Sequence, residues 1–149
     1  MNYWTELIGN KPLVAALAAW ALAQALKVFF VLLFDKKLDF RRFVGSGGMP
    51  SSHAAFVTAL TTAVARVDGL GSVTFAVSLV VTLVVMYDAA GVRRAAGEQA
   101  KILNRMMEHW DDNDPKFMEN RLKELLGHTP LQVFAGAFLG IAAGLFFTM

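Results

Sequence analysis

The chain has 149 residues, 56% of them hydrophobic and 17% charged, with a formal net charge of +2. A soluble domain of this length is less apolar, and here the apolar residues come in long blocks, so one integral-membrane domain over 1–149 is expected. The chain has no cysteines, which excludes disulfides and thiolate chemistry, and so small a net charge gives no argument for nucleic acid.

Residues 1 to 11 are short and mixed, with Tyr3 and Trp4 placed as interfacial anchors. The run from Pro12 to Phe34 is long enough to cross a bilayer at about 1.5 Å per residue. Its Ala21-Leu22-Ala23 is similar to a signal-peptidase site. The run is longer than a signal core and lacks a basic leader, so a retained span is expected. Gln24 and Lys27 interrupt the span on one helical face. A lysine there is either functional or snorkels to the nearer surface, about two turns away.

A basic loop follows, with Lys36, Lys37, Arg41 and Arg42 beside Asp35 and Asp39, and it leads into Gly45-Ser46-Gly47-Gly48-Met49-Pro50-Ser51-Ser52-His53. Three glycines let the backbone turn its N–H groups toward one point, and Pro50 suits a first helical turn. Such a stretch is either a hinge with a serine cap or a phosphate seat at a dipole-positive helix end. A second, shorter helix from Ser52 to about Val67 carries Thr58, Thr61 and Thr62, which places it inside a bundle. Asp68 to Ser72 is a tight turn. Val73 to Met86 is the most hydrophobic block and reads as a membrane helix despite its valines, ending in Tyr87-Asp88-Ala89-Ala90-Gly91-Val92-Arg93-Arg94.

Between 95 and 110, Ile102, Leu103, Met106, Met107 and Trp110 recur at helical spacing opposite Glu98, Lys101, Arg105 and Glu108. That is an amphipathic helix for the membrane surface or the bundle. Asp111-Asp112-Asn113-Asp114 reads as a solvated capping turn, with a metal site as the alternative, and no metal is assigned. Pro115 opens a helix that stops at Gly127. His128 and Thr129 form a joint, and Pro130 opens the last span to Met149.

The fold expected is all-α: a membrane bundle of about four spans, with amphipathic and short cytoplasmic helices between the third and fourth. Four basic residues lie between 35 and 50 and seven between 88 and 129, against Lys11 and Arg66 on the other side. The positive-inside rule therefore places both basic segments in the cytoplasm of a cell membrane. His53, Asp88, Arg93, Arg94 and His128 then share one membrane face. Two histidines at dipole-positive helix ends, with arginines nearby, would hold an anionic group and could act as nucleophile and general acid in phosphoryl transfer.

Pro50-Ser51-Ser52-His53 resembles the Pro-Ser-Gly-His motif of type 2 phosphatidic acid phosphatases and vanadium-dependent haloperoxidases. The stretch His128 to Gly140 resembles that superfamily's last motif. The whole chain is more closely similar to the divergent branch of this superfamily (divergent PAP2), through 47–54, Tyr87 to Arg94, and Gly127-His128-Thr129-Pro130. The resemblance implies a metal-independent, cofactor-free lipid phosphatase working through a phosphohistidine. His128 would be the nucleophile and His53 the acid. Gly47, Gly48, Ser51 and Ser52, with Arg42, Arg93, Arg94 and Lys27, would bind the phosphate. Three departures stand out. Ser52 occupies a glycine position, and Leu122 stands where an arginine is expected, with no Lys-x6-Arg-Pro element upstream. Gln132 replaces the carboxylate that orients the nucleophile, which Asp88 would supply instead. Loss of a comparable orienter in the serine-protease triad costs about 10⁴ in rate. The substrate class implied is a lipid phosphate or prenyl (di)phosphate. The alternatives are a non-catalytic binder or transporter of such lipids and an assembly factor docking through the helix at 95 to 110. A homodimer is also expected.

Overall fold

A computed structural model of the chain describes residues 2–35, 48–108 and 127–149. The basic loop with Arg42 and Gly47, the acidic turn at 111–114 and the helix expected after Pro115 lie outside the described residues. Among the described residues the structure is all helical: α1 Tyr3–Gly9, α2 Lys11–Asp35, α3 Ser52–Val67, α4 Val73–Ala90, α5 Val92–Glu108 and α6 Pro130–Phe147. The mixed opening segment thus contains a short helix, and its Tyr3 and Trp4 are exposed.

Helix starts follow from the cap residues. The Ser51 hydroxyl oxygen accepts the Ala54 N–H at 3.4 Å, and that of Ser72 accepts the Phe75 N–H at 3.1 Å. At α6, Thr129 and Gln132 form a reciprocal capping box with Pro130 as the first helical residue. The turn between α3 and α4 relies on Gly69, at φ +88°.

Among the described residues three helices, not four, are long and apolar enough to cross a membrane: α2, α4 with its continuation into α5, and α6. The expected second span is α3. With 16 residues it is about 24 Å long, short of the roughly 30 Å hydrocarbon layer. It is instead the inner post of the bundle, packed against α2, α4 and α6. Its direction follows from its contacts. Thr61 bonds Thr82 at 2.7 Å, and Ala54 clusters with Ala89, so α3 and α4 are antiparallel. Gly136, Gly140 and Gly144 meet Ser51, Thr58 and Thr62 in the same order, so α3 and α6 run parallel with their N-termini together.

The core is built from small residues. Ala15, Ala16, Ala19 and Ala23 of α2 and Ala54, Ala55, Ala59 and Ala63 of α3 are fully buried, while Leu33, Val77, Val80, Phe134 and Phe138 are exposed. Large apolar side chains outside and alanine inside is untenable in water. In a bilayer it is what helix association requires, because close backbone approach replaces hydrophobic burial. On α6, a Cβ at Gly140 would collide with the Thr58 hydroxyl and the Ala55 carbonyl, so only glycine permits this crossing. The amphipathic α5 begins at Val92, directly after Gly91. It buries Ala100 and Asn104 and exposes Ile102, Leu103 and Met106.

Candidate functional site

The parallel pairing of α3 and α6 puts two dipole-positive helix ends side by side, and α4 terminates against them. The His128 N–H donates to the Ala89 carbonyl at 3.1 Å, pinning the joint before α6 to the end of α4. The Ser51 N–H donates to the Gln132 carbonyl at 2.9 Å, tying the start of α3 to the first turn of α6. Ala54, Ala89 and Val133 pack beneath these bonds. The two histidine rings meet edge to face, with centroids 5.8 Å apart. His128 is 2% exposed, and its Nε2, like Nδ1 of His53, is shielded from solvent.

Gln132 sets the state of His128. Its side-chain oxygen Oε1 accepts the Thr129 backbone N–H at 3.1 Å and lies 3.3 Å from His128 Nδ1. A backbone N–H can only donate, so the amide atom facing it must be the oxygen, and its neighbour Nδ1 must carry the hydrogen. In the neutral ring the lone pair is then on Nε2. The capping box that starts α6 is therefore also the device that fixes the histidine tautomer. Gln132 stands where the superfamily motif has a carboxylate and makes the orienting contact itself.

Lys27 is resolved in favour of an inward role. It is 3% exposed, and its Nζ donates to Gln24 Oε1 at 3.0 Å and to Ser52 Oγ at 2.9 Å. The ammonium thus sits inside the bundle, one residue from His53. Gly48 crosses its stem at φ +82°, a left-handed conformation unfavourable for other residues, and a Cβ there would lie 3.8 Å from Lys27 Cγ. The Met49–Pro50 peptide that follows is cis. Ser51 is fully buried. Its N–H is engaged by Gln132 and its oxygen by the cap of α3, so its part in the site is to join the two helix starts.

Asp88 lies in the last turn of α4, beside the Ala89 carbonyl that holds His128, while Arg93 and Arg94 fall in the first turn of α5. His53, His128, Gln132, Gly48, Ser51, Ser52 and Lys27 are thus brought to one end of the bundle. Among the described residues no group of three His, Cys, Asp or Glu is arranged to hold a metal ion. Sequence reasoning missed three features. Gln24 shares Lys27, and Gln132 has a double duty. The glycines at 136, 140 and 144 set the α3–α6 distance, a four-residue spacing visible in the sequence.

Residues 8–143 match the model of the Divergent PAP2 family. Over 146 residues the chain is 45% identical to the "Uncharacterized membrane protein YuiD" of Bacillus subtilis (strain 168), spanning 91% of this chain and 92% of that protein. No solved structure matches the chain. A family match from the first turn of the bundle into its last helix takes in the two histidine-bearing helix starts and the glycine-tight packing that joins them, and the chain belongs to the divergent PAP2 family of membrane proteins.

Proposed function

We propose that the chain is a membrane phosphatase that removes phosphate from a lipid phosphate or prenyl (di)phosphate at the cytoplasmic face. The observation that carries this is the Gln132 contact, which leaves Nε2 of a buried histidine as a directed nucleophile 5.8 Å, ring to ring, from a second histidine. In this scheme His128 Nε2 attacks phosphorus, the P–N bond forms and the P–O bond to the lipid breaks. His53 gives its proton to the leaving oxygen, which departs as the alcohol from a monoester or as the prenyl phosphate from a diphosphate. Water then attacks the phosphohistidine, His53 takes back a proton, and inorganic phosphate leaves. Lys27, the first-turn N–H groups of α3 and the glycine stretch would stabilise the phosphoryl oxygens, with Arg42, Arg93, Arg94, Gly47 and Ser52 as further donors. Asp88 would stand near as an auxiliary carboxylate. The scheme uses no metal or cofactor. The cytoplasmic orientation rests on the charge asymmetry of the loops, and a pair of chains in the bilayer is part of the proposal.

The test is phosphate release by detergent-purified protein from a panel of lipid phosphates. Wild type should release phosphate, and His128→Ala should abolish both turnover and a trapped, acid-labile phosphoprotein. Equal turnover by the variant overturns the assignment. The neutral Gln132 favours one second reading, a non-catalytic carrier of the same lipids, because a carboxamide stabilises an imidazolium less than a carboxylate does. That reading predicts lipid-phosphate binding by wild type with no phosphate release.

A further inference from the structure

Among the described residues both partners of Lys27 are neutral: Gln24 Oε1 accepts from Nζ at 3.0 Å and Ser52 Oγ at 2.9 Å. Gln24 is itself 6% exposed and stands three residues before Lys27, so the two share one face of α2. The lysine stem runs past Gly48, close enough that a Cβ there would lie 3.8 Å from Cγ and 3.9 Å from Cδ. Stem and ammonium are therefore both fixed, the ammonium at Ser52, the first residue of α3 and the neighbour of His53.

The kind of acceptor matters here. An ammonium has three N–H donors. Gln24 and Ser52 engage two of them, and the third remains for a ligand. A glutamate at position 24 would also hold the lysine but would neutralise it, whereas a carboxamide fixes the ammonium and leaves its charge for an anion. An unheld lysine would surrender rotamer freedom each time an anion bound, and that loss subtracts from affinity. Holding the side chain beforehand removes the loss.

We propose that Gln24 is a positioning residue for phosphate binding: its side-chain oxygen holds the Lys27 ammonium beside Ser52 with its charge intact, so that the ammonium meets a phosphate dianion at the head of α3. This rests on the phosphatase assignment above and adds a residue to it. Charge on the non-bridging phosphoryl oxygens is present in the ester, in the transition state and in the phosphate released. A fixed ammonium binds all three about equally, so its positioning is read in KM and in product inhibition rather than in kcat. Gln24 acts only through Lys27, which makes the two contributions coupled and not additive.

The experiment measures kcat, KM and the inhibition constant of inorganic phosphate in detergent for wild type, Gln24→Leu, Gln24→Glu, Lys27→Met and the variant combining Gln24→Leu with Lys27→Met. The ester is the member of the lipid-phosphate panel that wild type hydrolyses fastest. Gln24→Leu should raise KM and the inhibition constant about tenfold and change kcat by less than about threefold. Gln24→Glu should raise both constants at least as much without unfolding at a lower temperature than Gln24→Leu, because the lysine is held but neutralised. Added to Lys27→Met, Gln24→Leu should cost less than about a further twofold. An inhibition constant unchanged in a folded Gln24 variant, a loss confined to kcat, or an additive loss in the double variant overturns the positioning role while leaving the phosphatase standing. Should Gln24→Leu not fold, Gln24→Glu decides by the same constants. If wild type hydrolyses no ester, the phosphatase assignment fails, and Gln24 is judged by equilibrium binding of inorganic phosphate. Wild type should then bind the ion about tenfold more tightly than Gln24→Leu. Equal binding, or none, overturns the proposal.

Discussion

Replacing Gly136 by alanine sets two effects of known size against each other. In an ordinary helix interior the change is favourable by about 1 kcal/mol. Here the new Cβ would fall on the Ser51 carbonyl oxygen, 3.0 Å from the Ser51 carbonyl carbon and 3.1 Å from Ala54 Cβ. All three are held by the backbone, and none can swing aside. Helices α3 and α6 must therefore separate, which costs about 1–3 kcal/mol as overpacking. Separation also stretches the 2.9 Å bond from the Ser51 N–H to the Gln132 carbonyl, worth about 0.5–1.5 kcal/mol net. Overpacking and the lost bond outweigh the propensity gain, leaving a net destabilisation of about 0.5–3.5 kcal/mol. Near 150 residues that lowers Tm by roughly 1–14 °C. The assay is thermal unfolding in detergent, with Gly71→Ala as the control, since a Cβ at Gly71 meets nothing within 4 Å. Phosphate release should fall by more than the stability loss explains, because a shift of about 1 Å at the Ser51–Gln132 tie moves His128 relative to His53, a displacement that can cost about 10² in rate. Unfolding of Gly136→Ala at the control's temperature would refute the contact argument.

Gln132→Glu should place a carboxylate against His128 Nδ1 and favour the imidazolium. The acid side of the phosphate-release profile then moves to higher pH, whereas Gln132→Leu, which loses cap and orienter together, should lower Tm and activity at every pH. Thr82→Val removes bonds to the Val57 carbonyl at 3.0 Å and to Thr61 at 2.7 Å. It should cost about 0.6–1.7 kcal/mol, read by denaturation in detergent. Ser72→Ala deletes the cap of α4 at the end remote from the histidines. A loss of about 1 kcal/mol is expected with phosphate release per folded molecule unchanged. Because the natural chain has no cysteine, single cysteines report sidedness. In intact cells an impermeant maleimide should label Gly71→Cys and spare Met49→Cys and Thr129→Cys, and the reverse pattern would invert the topology.

Much of this architecture is legible in the sequence because its punctuation is local. The serine cap at the start of α3 and Thr129-Pro130 at the start of α6 are local signals that the helices obey, whereas Pro50, expected in a first helical turn, lies before the Ser51 cap. The coincidence of His53 and His128 follows from counting helix directions, and the structure realises it through the parallel α3–α6 pair. The span count was less readable, since hydropathy registers α3 as apolar without revealing that alanine and threonine make it an inner post. Nor does spacing alone decide between snorkelling and burial for Lys27, because the choice depends on Ser52, 25 residues away.

The shortness of α3 has a consequence for the surrounding lipid. If the Asp68–Ser72 turn lies at one face of the hydrocarbon layer, a post of about 24 Å ends about 6 Å before the other. Helix α6, at 18 residues, reaches about 27 Å, whereas α2, at 25 residues, is about 38 Å long. Lipid meeting the bundle beside α3 and α6 would thin toward it, drawing headgroups down toward the histidines. Hydrophobic mismatch would then serve as a means of delivery: turnover should fall as host lipids lengthen, although no residue of the protein has changed.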